Sequence, residues 1–208
     1  MQKVVIYIPN LGDISTKLVR ILLQLKNIEV VMPEGIVPHD NARNYCVHDF
    51  LKRTNNPDDV LVFIDSDIVP NPGDIQKLIQ YNTDIVGALC LVQKEDAEGI
   101  PTPVPMALRL NKKNEYKVFF DGTSLTEVDA TGSGLIAIKR KVFTAIGDKP
   151  YQFISDGIGN IVKPEDFYFC EKAKALDFKV YVDYNILADH IKTVSLNGIN
   201  RLLIKNHD

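Results

Sequence analysis

Val60-Leu61-Val62-Phe63-Ile64-Asp65-Ser66-Asp67-Ile68-Val69-Pro70 is the stretch on which the fold turns. Five consecutive apolar residues with no polar alternation are the mark of a strand covered on both faces, as in the middle of a parallel sheet. Asp65 then falls just beyond the carboxyl end of that strand, the edge at which open α/β sheets bind their ligands. Two carboxylates one residue apart at such an edge supply hard oxygen ligands for a divalent cation.

Short β-branched runs alternate with helical patterns on both sides of this segment. Upstream, residues 3–8 read as a strand and 14–25 as a helix with Leu18, Ile21, Leu22 and Leu25 on one face. Residues 28–32 read as a second strand and 41–53 as a second helix. Downstream, Pro72 opens a helix through Ile75, Leu78 and Ile79, and 84–92 form another buried strand. This alternation predicts an α/β fold, a central mostly parallel sheet with helices on both faces. The ends of its strands place the chemistry near Pro9, Met32 and Asp65.

The second half reads differently. Residues 94–105 hold three prolines and one glycine, which predicts a loop of the kind that closes over a site. Shorter strands at 106–110, 116–120 and 135–139, with an Asp121-Gly122 turn between them, predict a small mixed sheet. A helix at 164–176, a strand at 179–183 and a terminal helix at 193–205 complete the pattern. No internal repeat or low-complexity tract interrupts it.

Composition narrows the class. A chain of 208 residues with 45% hydrophobic content can bury one substantial core, so one domain over 1–208 is expected. Its 24 basic and 27 acidic residues lack the basic excess that nucleic acid demands. Cys46, Cys90 and Cys170 are odd in number and without CxxC spacing, which predicts reduced, buried thiols. The apolar run from Val4 stops at Pro9, short of a signal-peptide core or a membrane span, so a cytoplasmic protein is expected.

Two more segments carry chemistry. Ala188-Asp189-His190 follows the strand at 179–183, and an imidazole together with a carboxylate suits manganese. Pro164-Glu165-Asp166 opens a helix in which Asp166 shares a face with Phe169, Cys170, Ala173 and Leu176. That face turns Asp166 toward a cleft, and the helix N-terminus is expected to hold it ionised, as a general base must be. His39 and His48, nine residues apart, read as structural or surface residues.

In order along the chain, Val5-Ile6-Tyr7-Ile8-Pro9-Asn10, Asn41-Ala42-Arg43-Asn44, Phe63 to Pro70, Thr131-Gly132-Ser133-Gly134, Pro164 to Cys170 and Ala188-Asp189-His190 resemble the family 2-type glycosyltransferases of the GT-A fold, from about Val4 to Lys192. The resemblance implies a metal-dependent hexosyltransferase that moves a sugar from a nucleoside diphosphate sugar, UDP favoured, to a hydroxyl on an unidentified glycan, small molecule or protein. It implies a nucleotide-binding half over 1–92, an acceptor-side half over 106–192 and a C-terminal helix within 193–208. Pro9, Asn10, Arg43, Asp65, Ser66 and Lys192 would contact the nucleotide sugar. Asp65, Asp67 and His190 would hold Mn2+ or Mg2+, Gly132, Ser133, Gly134 and Glu165 would line the acceptor side, and Asp166 would be the catalytic base.

Two features depart from the family: Gly12-Asp13 replaces its usual first loop, and no QxxRW-type motif or membrane helix is present for processive synthesis. Asp65-Ser66-Asp67-Ile68-Val69 also satisfies the DxDx[TV] signature of haloacid-dehalogenase-like phosphatases, although two βα units precede it here. A non-catalytic nucleotide-sugar-binding protein is the remaining alternative. A nucleotidyltransferase would need a glycine-rich, lysine-bearing loop after the first strand, and Gly12 alone does not supply it.

Overall fold

A computed structural model describes residues 2–95 and 101–192. The first half of the chain runs β1 (Val4–Tyr7), α1 (Thr16–Leu22), β2 (Glu29–Val31), α2 (His39–Arg53), β3 (Val60–Ile64), β4 (Ile68–Val69), α3 (Asp74–Gln80) and β5 (Ile85–Glu95). Next come β6 (Pro101–Pro105), β7 (Ala107–Leu110), β8 (Tyr116–Val118), β9 (Leu125–Val128), β10 (Ala130–Thr131), β11 (Leu135–Lys139) and α4 (Arg140–Ile146). The chain continues through β12 (Ile154–Ser155), β13 (Ile161–Lys163), α5 (Glu165–Lys174) and β14 (Val180–His190).

The main sheet is ordered β2-β1-β3-β11-β5-β14-β4. Strands β2, β1 and β3 pair in parallel, as do β5 and β14, while β11 is antiparallel to both β3 and β5. The sheet is therefore mostly parallel, as the alternation of elements predicts.

Both faces are covered, which is why β3 is apolar throughout. Val5, Tyr7, Leu61 and Phe63 pack on one face with Cys46, Val47 and Phe50 of α2 and with Phe169 and Cys170 of α5. Ile6, Val60, Val62 and Ile64 pack on the other with Leu18 and Leu22 of α1 and with Ile75 and Leu78 of α3. Burying side chains of this size contributes about 1.5–3 kcal/mol each. All three cysteines are buried free thiols.

The proline-rich segment differs from its expected loop. Strand β5 runs on to Glu95 and returns in β6, with Leu91 opposite Pro105 and Lys94 opposite Thr102. Pro101, Pro103 and Pro105 alternate along β6, so the positions without an N–H share the side away from β5, and Thr102 and Val104 supply the pairing groups. An edge strand accepts proline on that condition. Residues 96–100 and the helix expected from 193 onward lie outside the described residues.

Strand β14 extends the strand expected at 179–183 as far as Ala188-Asp189-His190. Its pairing with β5 shifts register between Asp183 and Leu187, and the bent strand continues to His190. There β4 pairs with it antiparallel, Ile68 opposite His190 and Val69 opposite Asp189. Among the described residues, no helix is long and apolar enough to cross a membrane.

Candidate active site

Strand ends assemble the site. The parallel register sets Tyr7 beside Phe63, so the loops after β1 and β3 leave the sheet together. Ser15 N–H donates to the Ser66 carbonyl at 2.9 Å, and Asp65 N–H donates to the Gly134 carbonyl at 2.8 Å. The β4–β14 pairing carries His190 to the far side of the same crevice, where Ile191 N–H donates to the Asp67 carbonyl at 2.8 Å.

The crevice has two lobes. One of about 340 Å³ is lined by Pro9, Asn10, Asp13, Ser66, Asp67 and Lys192, with Leu11, Ile36 and Val37 as its apolar wall. The other, about 230 Å³, is lined by Arg43, Gly132, Ser133, Gly134, Glu165 and Asp166, with Ile68, Val92, Met106 and Phe153 opposite. Three residues, His39, Asp65 and His190, border both. Every site residue singled out in the sequence lines one lobe or the other. Met32 lines neither and is exposed.

Asp67 and His190 meet directly, with His190 Nε2 3.1 Å from Asp67 Oδ2. His190 Nδ1 lies 2.7 Å from the Leu91 carbonyl, which only accepts, so Nδ1 carries a proton. Lys192 Nζ donates to the same Asp67 oxygen at 2.5 Å. Burial works against the charge on Asp67, but the hydrogen bonds from His190 and Lys192 outweigh it and hold the carboxyl well below the usual carboxylate range. In return the hydrogen bond to Asp67 raises His190 above its ordinary value.

Asp65 is engaged elsewhere. Its Oδ1 accepts from Arg43 NH2 at 2.7 Å, and the Arg43 side chain is only 3% exposed against 32% for Asp65. The guanidinium lies over the Phe63 ring, 4.7 Å from its centroid, and Arg43 borders the lobe of Asp166 rather than that of Pro9 and Asn10. Asn10 is committed too: its Oδ1 accepts from Gly12 N–H at 2.9 Å, and its Nδ2 donates to the Ile8 and Pro33 carbonyls at 3.2 Å. Asn10 therefore shapes the first loop.

Asp166 corrects one expectation. It stands in the first turn of α5, and its Oδ1 accepts from Phe167 N–H at 2.8 Å. Burial above all, and then the charge of Glu165, push it up to about 7 against that N–H and the nearby Arg43 charge. The helix terminus alone does not keep it fully ionised at neutral pH. A base poised near neutrality accepts a proton more readily than an ordinary carboxylate.

Glycines make room for both acids. A Cβ on Gly132 would sit 3.6 Å from Asp166 Oδ2, and one on Gly134 would sit 3.4 Å from Asp65 Oδ2 and 3.3 Å from Ile68 Cγ1. Ser133 between them is buried.

A cation fits part of this donor set. Carboxylate oxygen and imidazole nitrogen are ligands that manganese accepts, and a ring whose other nitrogen donates to a backbone carbonyl is the usual arrangement of a metal-binding histidine. Among the described residues no group of three or more His, Cys, Asp or Glu side chains converges into a metal cage, and Asp65 is bonded to Arg43.

One residue of the crevice carries no functional signal in the sequence. His39 is exposed, as its surface reading expects, and it also borders both lobes.

No protein-family model and no curated protein sequence matches the chain. Solved structures do. The crystal structure of A197 from STIV superimposes with a TM-score of 0.66 at 20% identity, covering 92% of this chain and 87% of that one. The crystal structure of GalNAc-T7 with UDP, GalNAc and Mn2+ superimposes with a TM-score of 0.58 at 13% identity, covering 94% of this chain and 45% of that one. This chain thus spans less than half of the GalNAc-T7 chain. These likenesses show the fold, which is of the GT-A type.

Proposed function

We propose that this protein is a metal-dependent glycosyltransferase that moves a sugar from a nucleoside diphosphate sugar to an acceptor hydroxyl. The division of the crevice carries the reading. Residues suited to a nucleotide and its cation line one lobe, Asp166 lies in the other, and the two meet at Asp65 and His190. A bond broken at the junction has a charged leaving group on one side and a base on the other.

Pro9, Ser66 and the apolar wall of Leu11, Ile36 and Val37 would seat the nucleoside, with Asn10 holding the loop that carries Pro9 and Leu11. Lys192 would offset phosphate charge. Asp67 and His190 would hold Mn2+ or Mg2+, with Asp65 beside them, and such an ion offsets the charge that develops on a departing diphosphate. The presence of UDP, GalNAc and Mn2+ in the GalNAc-T7 structure supports a uridine nucleotide and a divalent cation.

Asp166 would take the proton from the acceptor hydroxyl. Arg43 holds Asp65 in place and lends positive charge to the acid-lined lobe. Gly132, Ser133, Gly134 and Glu165 would border the acceptor and the transferred sugar. An Asp166→Asn variant is expected to bind the donor normally and to turn over at least ~100-fold more slowly. Full activity in that variant would remove Asp166 as the base.

A further inference from the structure

We propose that His39 is a donor-binding residue whose imidazole hydrogen-bonds to the distal phosphate of the nucleoside diphosphate, at the neck between the two lobes. The inference rests on the glycosyltransferase reading and deepens it.

Three side chains border both lobes, and two of them are occupied. Asp65 is bonded to Arg43, and His190 to the Leu91 carbonyl and Asp67. His39 makes no side-chain hydrogen bond or ion pair among the described residues. Its ring can donate to an oxygen that arrives from either lobe.

Phosphate is the oxygen that the position favours. His39 is the first residue of α2, a helix of 15 residues, and the acid in its first turn, Asp40, accepts from the N–H groups of Asn41 and Phe153; the helix dipole adds to the attraction for an anion beside His39. Arg43, one turn further along the same face of α2, lines the Asp166 lobe, and among the described residues its buried Nε and NH1 have no hydrogen-bond partner, while its NH2 donates to Asp65. Unmet donors of that kind are costly unless a bound oxygen satisfies them. With the nucleoside in one lobe and Asp166 in the other, the phosphate next to the transferred sugar must pass this neck.

Isothermal titration with manganese of UDP and UMP, or of GDP and GMP if wild type prefers guanosine, tests the assignment on wild type, His39→Ala and His39→Gln. Losing a hydrogen bond to a charged group predicts diphosphate binding ~10-fold or more weaker in His39→Ala. Monophosphate binding and the unfolding midpoint stay at wild-type values, and His39→Gln, which keeps a donor, recovers most of the loss. Wild-type diphosphate binding in His39→Ala, or an equal loss for the monophosphate, would overturn the assignment while leaving the transferase reading intact. A wild type that binds no nucleoside diphosphate at all overturns both.

Discussion

His190 and Asp67, 123 residues apart in sequence, stand 3.1 Å apart through Nε2 and Oδ2, and the antiparallel pairing of β4 with the end of β14 brings them there. Without a divalent cation the two behave as an ion pair with opposite pH dependence. Asp67 is depressed, so its contribution to stability is present above the unfolded carboxylate value near ~3.9 and is lost as pH falls toward its folded one. His190 is raised, so its contribution is full below ~6.5 and is lost as pH rises through the folded value. The stability difference between wild type and His190→Gln should therefore peak between about pH 4 and about pH 6.5 and stay below ~1 kcal/mol, since both side chains are partly exposed. Urea titrations of the metal-free proteins measure it, and a difference that grows at pH 9 contradicts the pairing.

Asp166 sets the pH dependence of catalysis. With the carboxyl of the free protein at about 7, kcat/KM should rise ~10-fold per pH unit below that value and level off above it. A rate that is flat down to pH 5 would mean that another group takes the proton.

The same residue leaves a mark on stability. Its folded value lies above the unfolded one, so its contribution is fully present below about pH 4 and is lost as pH rises through about 7. Asp166→Asn escapes that loss, and its unfolding midpoint relative to wild type should be higher at pH 8 than at pH 4. Thermal denaturation at the two pH values decides the point.

Arg43 lowers the proton affinity of Asp166 from within the same lobe. Arg43→Met removes that positive charge and should move the midpoint of the rate profile upward. It also leaves the partly exposed Asp65 without its partner. A pH–rate profile that keeps the wild-type midpoint would show that the charge does not reach Asp166.

The two glycines flanking Ser133 should respond unequally to alanine. The new methyl of Gly132→Ala meets its nearest atom at 3.5 Å, an ordinary contact, whereas that of Gly134→Ala meets Ile68 at 3.3 Å beside Asp65. Gly134→Ala should cost ~1 kcal/mol or more of stability and Gly132→Ala less. Denaturant titration ranks them, and the reverse order would argue against the packing described here.

Sequence carried the framework wherever one physical signal acted alone. The unbroken apolar run of β3 announced its burial on both faces and with it the position of Asp65 at the sheet edge. Pro164 and the acids after it announced the start of α5. Signals failed where tertiary pairing decided. Strand β4 is only Ile68 and Val69, too short to show alternation, yet it delivers His190 to Asp67. The alternate prolines of β6 look like loop punctuation until β5 lies beside them. Helix α4 begins straight after β11 at Lys139 without a side-chain cap, so no start signal marked it. His39 is a surface residue, as its sequence suggests, and its place beside both lobes is set by where α2 starts over the crevice, which no local signal marks.

The central claim is a nucleoside diphosphate held with a cation by Asp67 and His190. Isothermal titration of a panel of nucleoside diphosphates, with and without manganese, on wild type and Asp67→Ala tests it most directly. The account predicts one nucleotide that binds wild type only with the metal and shows no binding to the variant. Binding that ignores both manganese and the Asp67→Ala change, or no nucleotide binding at all, would contradict it.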